Sequence, residues 1–129
     1  MKSNMISARI SEKGIKMIAY LLDLQTISLF DLNTSSIITQ VNHDSKIDYL
    51  ELNANANKLL FKDKRKQLYL YNVSSLTKTT LLPYCTFAKW VPESEVVVAQ
   101  NRQNLNVWYS IDHPEKVTIY QIKGDVESI

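Results

Sequence analysis

Two histidines, one cysteine and several carboxylates are the residues of this chain whose chemistry could support catalysis or metal binding. His43 and His113, the latter in the predicted turn 112–115, have no further ligands at the spacing that a metal site requires. Cys85 has no histidine or basic residue beside it in sequence, although a reactive thiolate needs such a neighbour. We therefore expect His43 to stabilise a turn and Cys85 to be a packed or partly exposed thiol.

Carboxylates also occur in close pairs, as a general acid and a general base would. The pairs are Asp44 with Asp48 and Glu93 with Glu95, and they fall near predicted loops or exposed strand starts, where side chains are usually solvated. The two glycines are too far apart for a phosphate-binding loop. The sequence therefore predicts no catalytic residue, no cofactor-binding residue and no metal ligand.

One run of positive charge remains, at residues 62–66, and it coincides with a predicted hairpin turn. Arg102 and Gln103 occupy the corresponding turn of a later hairpin. Such a run is most often a solvated turn, an acidic protein partner is the main functional alternative, and nucleic acid is the least favoured because the net charge is only +2. The candidate interaction residues are Lys62, Lys64, Arg65, Lys66, Arg102 and Gln103, and the neighbouring loop 43–46 is a further candidate.

Length and composition predict a single globular unit. The 129 residues are 45% hydrophobic and 22% charged, without a long biased tract. No apolar run is long enough for a transmembrane segment, and the first residues do not resemble a signal peptide. A single cysteine excludes an internal disulfide and favours a reducing compartment such as the cytoplasm.

A repeated pattern of apolar residues predicts the fold. Segments 17–32, 58–73 and 95–110 align without gaps, and each contains two short apolar runs joined by two mostly polar residues. That spacing is typical of a β-hairpin. Each hairpin has a further candidate strand on both sides, which gives four strands in every repeat of about 40 residues. Four antiparallel strands at this period are typical of a β-propeller blade.

The predicted fold is therefore all-β, a fragment of a WD40-like β-propeller with about three four-stranded antiparallel blades. The blade-like units span residues 5–42, 46–84 and 86–123, and residues 124–129 begin the next unit. Three blades cannot close a ring, so we expect marginal stability or self-association through open blade edges if the chain exists alone. The large residues at repeat positions are expected to pack between blades, namely Trp90, Trp108, Tyr20 and Phe61.

Degenerate WD motifs support this interpretation. The pairs at 30–31, 71–72 and 108–109 (FD, YN and WY) resemble the Trp-Asp dipeptide of WD repeats. His43 occupies the position of the Gly-His pair of such repeats, but Asn42 replaces the glycine. The aspartate of the tight turn that partners this histidine is expected to be absent or displaced.

Longer stretches resemble the intraflagellar transport protein 172 family. They include HDSKIDYLELN at 43–53, NKLLFKD at 57–63, WVPES at 90–94 and VVAQNR at 97–102, and the first forty residues agree more weakly. The resemblance implies the propeller region of a non-enzymatic scaffold, part of a complex B subunit that acts in cilium assembly. It further implies partners among other complex B subunits, and a location in the cilium, at its base and along the axoneme, and in the cytoplasm. It offers no cofactor and no catalytic motif.

Two alternative functions remain open at this point. The chain could come from a generic WD-repeat adaptor, for example one in a vesicle coat, where propellers are also joined to helical repeats. It could also come from a propeller enzyme whose catalytic residues lie in other blades, because a propeller fold does not by itself define a function.

Overall fold

The computed structural model describes residues 6–92 and 94–121, and these residues form twelve β-strands and no helix. The predicted start of a fourth unit at 124–129 lies outside the described residues, as does Glu93. The strands are β1 (Ile6–Ile10), β2 (Lys16–Asp23), β3 (Thr26–Asp31), β4 (Ser36–Asn42), β5 (Ile47–Leu52), β6 (Lys58–Asp63), β7 (Leu68–Asn72), β8 (Thr77–Leu82), β9 (Cys85–Trp90), β10 (Val97–Asn101), β11 (Asn104–Trp108) and β12 (Thr118–Gln121).

The strands form three four-stranded sheets, and in each sheet the strands pair in sequence order. Every pairing is antiparallel, so each sheet is an up-and-down meander. We name them blade 1 (β1–β4), blade 2 (β5–β8) and blade 3 (β9–β12). The predicted all-β fold of four-stranded antiparallel blades is confirmed.

The central strand β6 explains why the apolar runs in the sequence have no polar face. Successive side chains of a strand point to opposite sides of the sheet. Leu59 and Phe61 pack into a cluster with Ala19 and Leu29 of blade 1. Leu60, between them, packs into a second cluster with residues of blade 3. Blade 2 is therefore covered on both faces, as the three consecutive apolar residues predict.

The large aromatic residues are mostly buried where packing between blades was expected. Trp90 and Trp108 are 3% and 1% exposed and lie in the cluster between blades 2 and 3. Phe61 is fully buried in the cluster between blades 1 and 2, whereas Tyr20 is only half-buried. Tyr20 alternates along β2 with Ala19, which contacts blade 2, so its side chain is on the opposite face.

Polar contacts also join the innermost strands of the three blades. The Leu52 N–H donates to the Ser7 hydroxyl at 2.9 Å, and the Arg9 guanidinium lies 3.1 Å from a Glu51 carboxylate oxygen. On the other side of blade 2, the Trp90 indole N–H donates to the Glu51 carbonyl oxygen at 3.0 Å. These contacts give each pair of neighbouring blades a defined alignment.

The outer face of blade 1 is apolar and uncovered by the described residues. Ser7 and Arg9 of β1 contact blade 2, whereas Ile6 and Ile10, which alternate with them, are 63% and 70% exposed. Leu22 on the adjacent strand is 55% exposed. Self-association through open blade edges stays a prediction.

Replacing the central apolar residue tests the two-sided burial of blade 2. We expect Leu60→Ala to lower the free energy of unfolding by about 2–5 kcal/mol, because it leaves a cavity between blades 2 and 3. Leu22→Ala is the matched control and should change it by less than about 0.5 kcal/mol. Urea unfolding followed by tryptophan fluorescence measures both, since Trp90 and Trp108 lie in the same cluster as Leu60. Equal effects of the two substitutions would contradict the arrangement.

Candidate protein-interaction surface

Five of the six predicted interaction residues lie on one face of the molecule, which we call the turn face; Lys62 was expected in the turn but lies within β6, directly before it. The turn face consists of the turns between the second and third strands of each blade and the connections between blades, at residues 23–26, 43–47, 63–67, 82–85 and 101–104. Backbone N–H groups on this face donate to carbonyl oxygens of the neighbouring turn or connection, from His43 to Gln25 at 2.8 Å, from Ile47 to Leu24 at 2.8 Å, from Lys64 to Lys46 at 2.7 Å and from Cys85 to Lys66 at 2.6 Å.

The expectation that the aspartate partner of His43 is absent or displaced is wrong. Asp63, at the end of β6, is fully buried, and its Oδ2 lies 2.8 Å from His43 Nε2. The connection that contains His43 leads into blade 2, and the tight turn of that same blade carries the aspartate. The His43 ring also packs edge-on against Phe61 and Tyr69, with centroids 5.2 and 4.7 Å away. His43 therefore stabilises a turn, as expected.

A lysine determines which nitrogen of His43 carries the proton. Lys78 Nζ lies 3.2 Å from His43 Nδ1. An ammonium group can only donate a hydrogen bond, so Nδ1 must be the acceptor. Nε2 then carries the proton and donates it to Asp63. The His43 ring consequently bridges an ammonium group and a carboxylate.

Asp63 also organises the turn that follows it. Its Oδ1 accepts the backbone N–H groups of Arg65 and Gln67 at 2.9 and 3.1 Å. Burial alone would raise the pKa of the Asp63 carboxyl, but hydrogen bonds from His43, Gln67 and Arg65 together hold that pKa below its usual value. One ionised carboxylate thus fixes both the turn and the connection next to it.

Two of the predicted basic residues are neutralised within the molecule. Lys62 Nζ lies 2.8 Å from Asp48 Oδ1, and the Lys62 side chain is only 14% exposed. Arg65 contacts Asp44 at 2.8 Å and Asp63 at 3.0 Å. Their charges are therefore largely compensated at the surface.

The other predicted residues are exposed, and contacts across the turn face link the two predicted turns. Lys64, Lys66, Arg102 and Gln103 are all exposed. The connection between blades 2 and 3 lies between the turns, because its Cys85 bonds to Lys66 and pairs in register with Asn101. The Arg102 guanidinium lies over the ring of Tyr84, 4.4 Å from its centroid. The contribution of Tyr84 was not predicted, and nothing in its sequence context indicated it.

A second polar group, around Glu51, was also missed. The Glu51 carboxylate accepts hydrogen bonds from the Tyr49 hydroxyl and the Trp90 backbone N–H and pairs with Arg9. Burial, with a further contribution from Glu51, raises the pKa of the Tyr49 hydroxyl. Arg9, Tyr49 and Glu51 line a cavity of about 370 Å³ among the inner strands β1, β5 and β9, together with Phe87 and Lys89. In the sequence, Tyr49 and Glu51 are two residues apart, which is the ordinary spacing of neighbours on one face of a strand. Nothing in that spacing distinguishes them.

The residues with catalytic potential occupy ordinary structural positions. Cys85 is fully buried, and burial raises the pKa of its thiol to about 11, so it is protonated at neutral pH. His113 is exposed, 3.8 Å from a Glu115 carboxylate oxygen. Within residues 6–92 and 94–121, no three His, Cys, Asp or Glu side chains are grouped as a metal site would require. The same residues contain no helix that could span a membrane.

Comparisons with known proteins place the chain among intraflagellar transport propellers. Residues 10–120 match the family model described as the IFT80 second beta-propeller. The chain is 48% identical over 132 residues to intraflagellar transport protein 172 homolog of Danio rerio, with 98% of this chain and 8% of that protein covered. It is 48% identical over 136 residues to intraflagellar transport protein 172 of Chlamydomonas reinhardtii, with 100% of this chain and again 8% of the relative covered. The chain thus spans about 8% of the length of these relatives.

Solved structures support the fold alone. The WD40 repeats of RRP9 and the structure of U3-55K each superpose with a TM-score of 0.62 at 15% sequence identity. Each comparison covers 89% of this chain and 36% of the other chain. At this identity the similarity shows a shared propeller architecture and carries no information about function.

The depressed pKa of Asp63 predicts a specific loss of stability in acid. The folded state favours the ionised carboxylate, so this group adds to the free energy of unfolding above the usual pKa of an aspartate. The contribution disappears as the pH falls through the lower pKa of the folded state. Asp63→Asn should cost about 1–3 kcal/mol at neutral pH, and this difference from the unsubstituted chain should shrink as the pH is lowered to about 3.

The matched control for this experiment is Asp23→Asn. Asp23 accepts the Gln25 backbone N–H at 2.8 Å in the equivalent turn of blade 1, but it is exposed. Asn retains the side-chain oxygen, and the position is exposed, so only a small effect is expected. Urea unfolding at several pH values measures both variants, and an equal pH dependence for the two would show that the buried His43–Asp63 contact is not responsible.

Proposed function

The chain belongs to the IFT80 second beta-propeller family, and we propose that it acts as a non-enzymatic scaffold module of intraflagellar transport. The observation that carries this proposal is the 48% identity to intraflagellar transport protein 172 over nearly the whole chain. This identity is far above the 15% of the solved propellers that share only the fold. It therefore supports a shared function in addition to a shared fold.

The proposal extends to the complex and its location. We propose that the chain is part of a complex B subunit, that its partners are other protein subunits of that complex, and that it acts in cilium assembly. Its expected locations are the cilium, at the base and along the axoneme, and the cytoplasm. Relatives named for intraflagellar transport in Chlamydomonas reinhardtii and Caenorhabditis elegans support a ciliary or flagellar role.

The turn face is the proposed interaction surface. The residues proposed from the sequence are Lys62, Lys64, Arg65, Lys66, Arg102 and Gln103. Their turns are held by backbone hydrogen bonds between neighbouring elements and by the buried Asp63. A surface held in this way loses little conformational entropy when a partner binds, which favours a scaffold that works by shape.

Recovery of partners from ciliated cells tests the proposed function. A tagged copy of the chain should co-purify with other intraflagellar transport subunits, because it contains the proposed interaction surface. The matched control is a tagged three-blade segment of U3-55K, which shares the fold at 15% identity. Mass spectrometry of both eluates measures the enrichment. Recovery of vesicle-coat subunits, or no enrichment over the control, would overturn the assignment.

A further inference from the structure

We propose that four cations of the turn face form one basic strip, and that this strip binds an acidic segment of a partner protein that also carries apolar side chains. The strip consists of Lys46, Lys64, Lys66 and Arg102. The inference rests on the proposed function, because it names the chemistry of the partner that the same face would bind.

The strip consists of the cations of the turn face whose charge no carboxylate of the described residues compensates. Lys62 and Arg65 are compensated by Asp48, Asp44 and Asp63. The four strip residues are exposed, and no carboxylate of the described residues lies within ion-pair distance of them. The strip thus differs from the cations predicted from the sequence, because it lacks Lys62 and Arg65 and includes Lys46 from the preceding connection.

Contacts across the turn face make the strip continuous. The Lys46 carbonyl oxygen accepts the Lys64 backbone N–H at 2.7 Å. The Lys66 carbonyl oxygen accepts the Cys85 N–H at 2.6 Å, and the adjacent Tyr84 lies beneath the Arg102 guanidinium. The four cations therefore follow one path from the connection before blade 2 to the turn of blade 3. Backbone hydrogen bonds make two of these links, and a side-chain contact between Arg102 and Tyr84 makes the third.

At two of these four positions, the backbone conformation does not favour a long basic side chain. Lys66 and Arg102 have φ angles of 67° and 58°, in the left-handed region that favours glycine. A long basic side chain has no conformational advantage at such a position. Glycine should remove the charge there without straining the turn, which makes these two residues suitable for a test.

Apolar side chains at both ends of the strip indicate the class of partner. Leu24 is 58% exposed and lines a cavity of about 320 Å³ with Lys46, Asp23 and Gln25. Tyr84, beside Arg102, is 56% exposed. An acidic segment with a few apolar residues would satisfy the cations and cover these two side chains.

Nucleic acid fits the strip less well. A nucleic acid carries one negative charge at every nucleotide. Its affinity for a protein depends on how many of these charges the protein neutralises. The exposed carboxylates of Asp23 and Asp44 interrupt the positive potential on the same face, and the net charge of the chain is only +2. A protein segment can place its acidic residues at the cations alone.

Fluorescence anisotropy with a labelled twelve-residue peptide of glutamate and leucine tests the strip. The unsubstituted chain should bind the peptide, with affinity that falls as salt is added. The double variant Lys66→Gly/Arg102→Gly should bind about tenfold more weakly. The control Lys13→Ala/Lys116→Ala removes the same charge from two exposed loop residues outside the turn face and should bind like the unsubstituted chain. Urea unfolding of the variants establishes that all are folded.

Several outcomes would overturn the strip. Equal weakening by the two double variants would mean that net charge alone governs binding. Displacement of the peptide by an equally long single-stranded DNA at lower concentration would assign the strip to nucleic acid. If the strip variant still co-purifies with transport subunits and binds the peptide normally, the strip fails while the proposed function stands. If the chain shows strip-dependent peptide binding but recovers no transport subunits, the proposed function fails instead.

Discussion

The structure depends on the burial of blade 2 on both of its faces. Leu60 of β6 contacts blade 3, and its neighbours Leu59 and Phe61 contact blade 1. Burying a side chain of this size contributes roughly 1.5–3 kcal/mol, which a single four-stranded sheet with two apolar faces cannot obtain in water. The three blades are consequently stable only as a stack, and the outer blades retain the faces that the stack does not cover.

The stack also positions the turn face. Once the blades are aligned, their turns and connections come close enough for backbone hydrogen bonds, and the buried pair of His43 and Asp63 fixes one of the junctions. The backbone positions of the surface cations are then defined, although their side chains are exposed. The proposed interaction surface is therefore a consequence of packing, since the same apolar columns that stabilise the blades determine which charges become neighbours.

The repeated columns made the fold predictable from sequence, because strand periodicity and hairpin spacing are local properties of the chain. The contact of His43 with Asp63 was not predictable in this way, since it joins a connection to a turn twenty residues later. For the same reason the sequence showed Lys62 and Arg65 as two further positive charges, whereas the structure pairs them with carboxylates from other elements. The transport assignment comes from family resemblance, which periodicity alone could not provide.

Hydrogen exchange measured residue by residue would test the two-sided burial of blade 2 most directly. Because β6 and β7 are covered on both faces, their amides should exchange more slowly than all others and should become exposed only with unfolding of the whole stack. The outer strands β4 and β12 should exchange earlier. Protection of those outer strands equal to that of β6, or three blades that open independently of one another, would contradict the account.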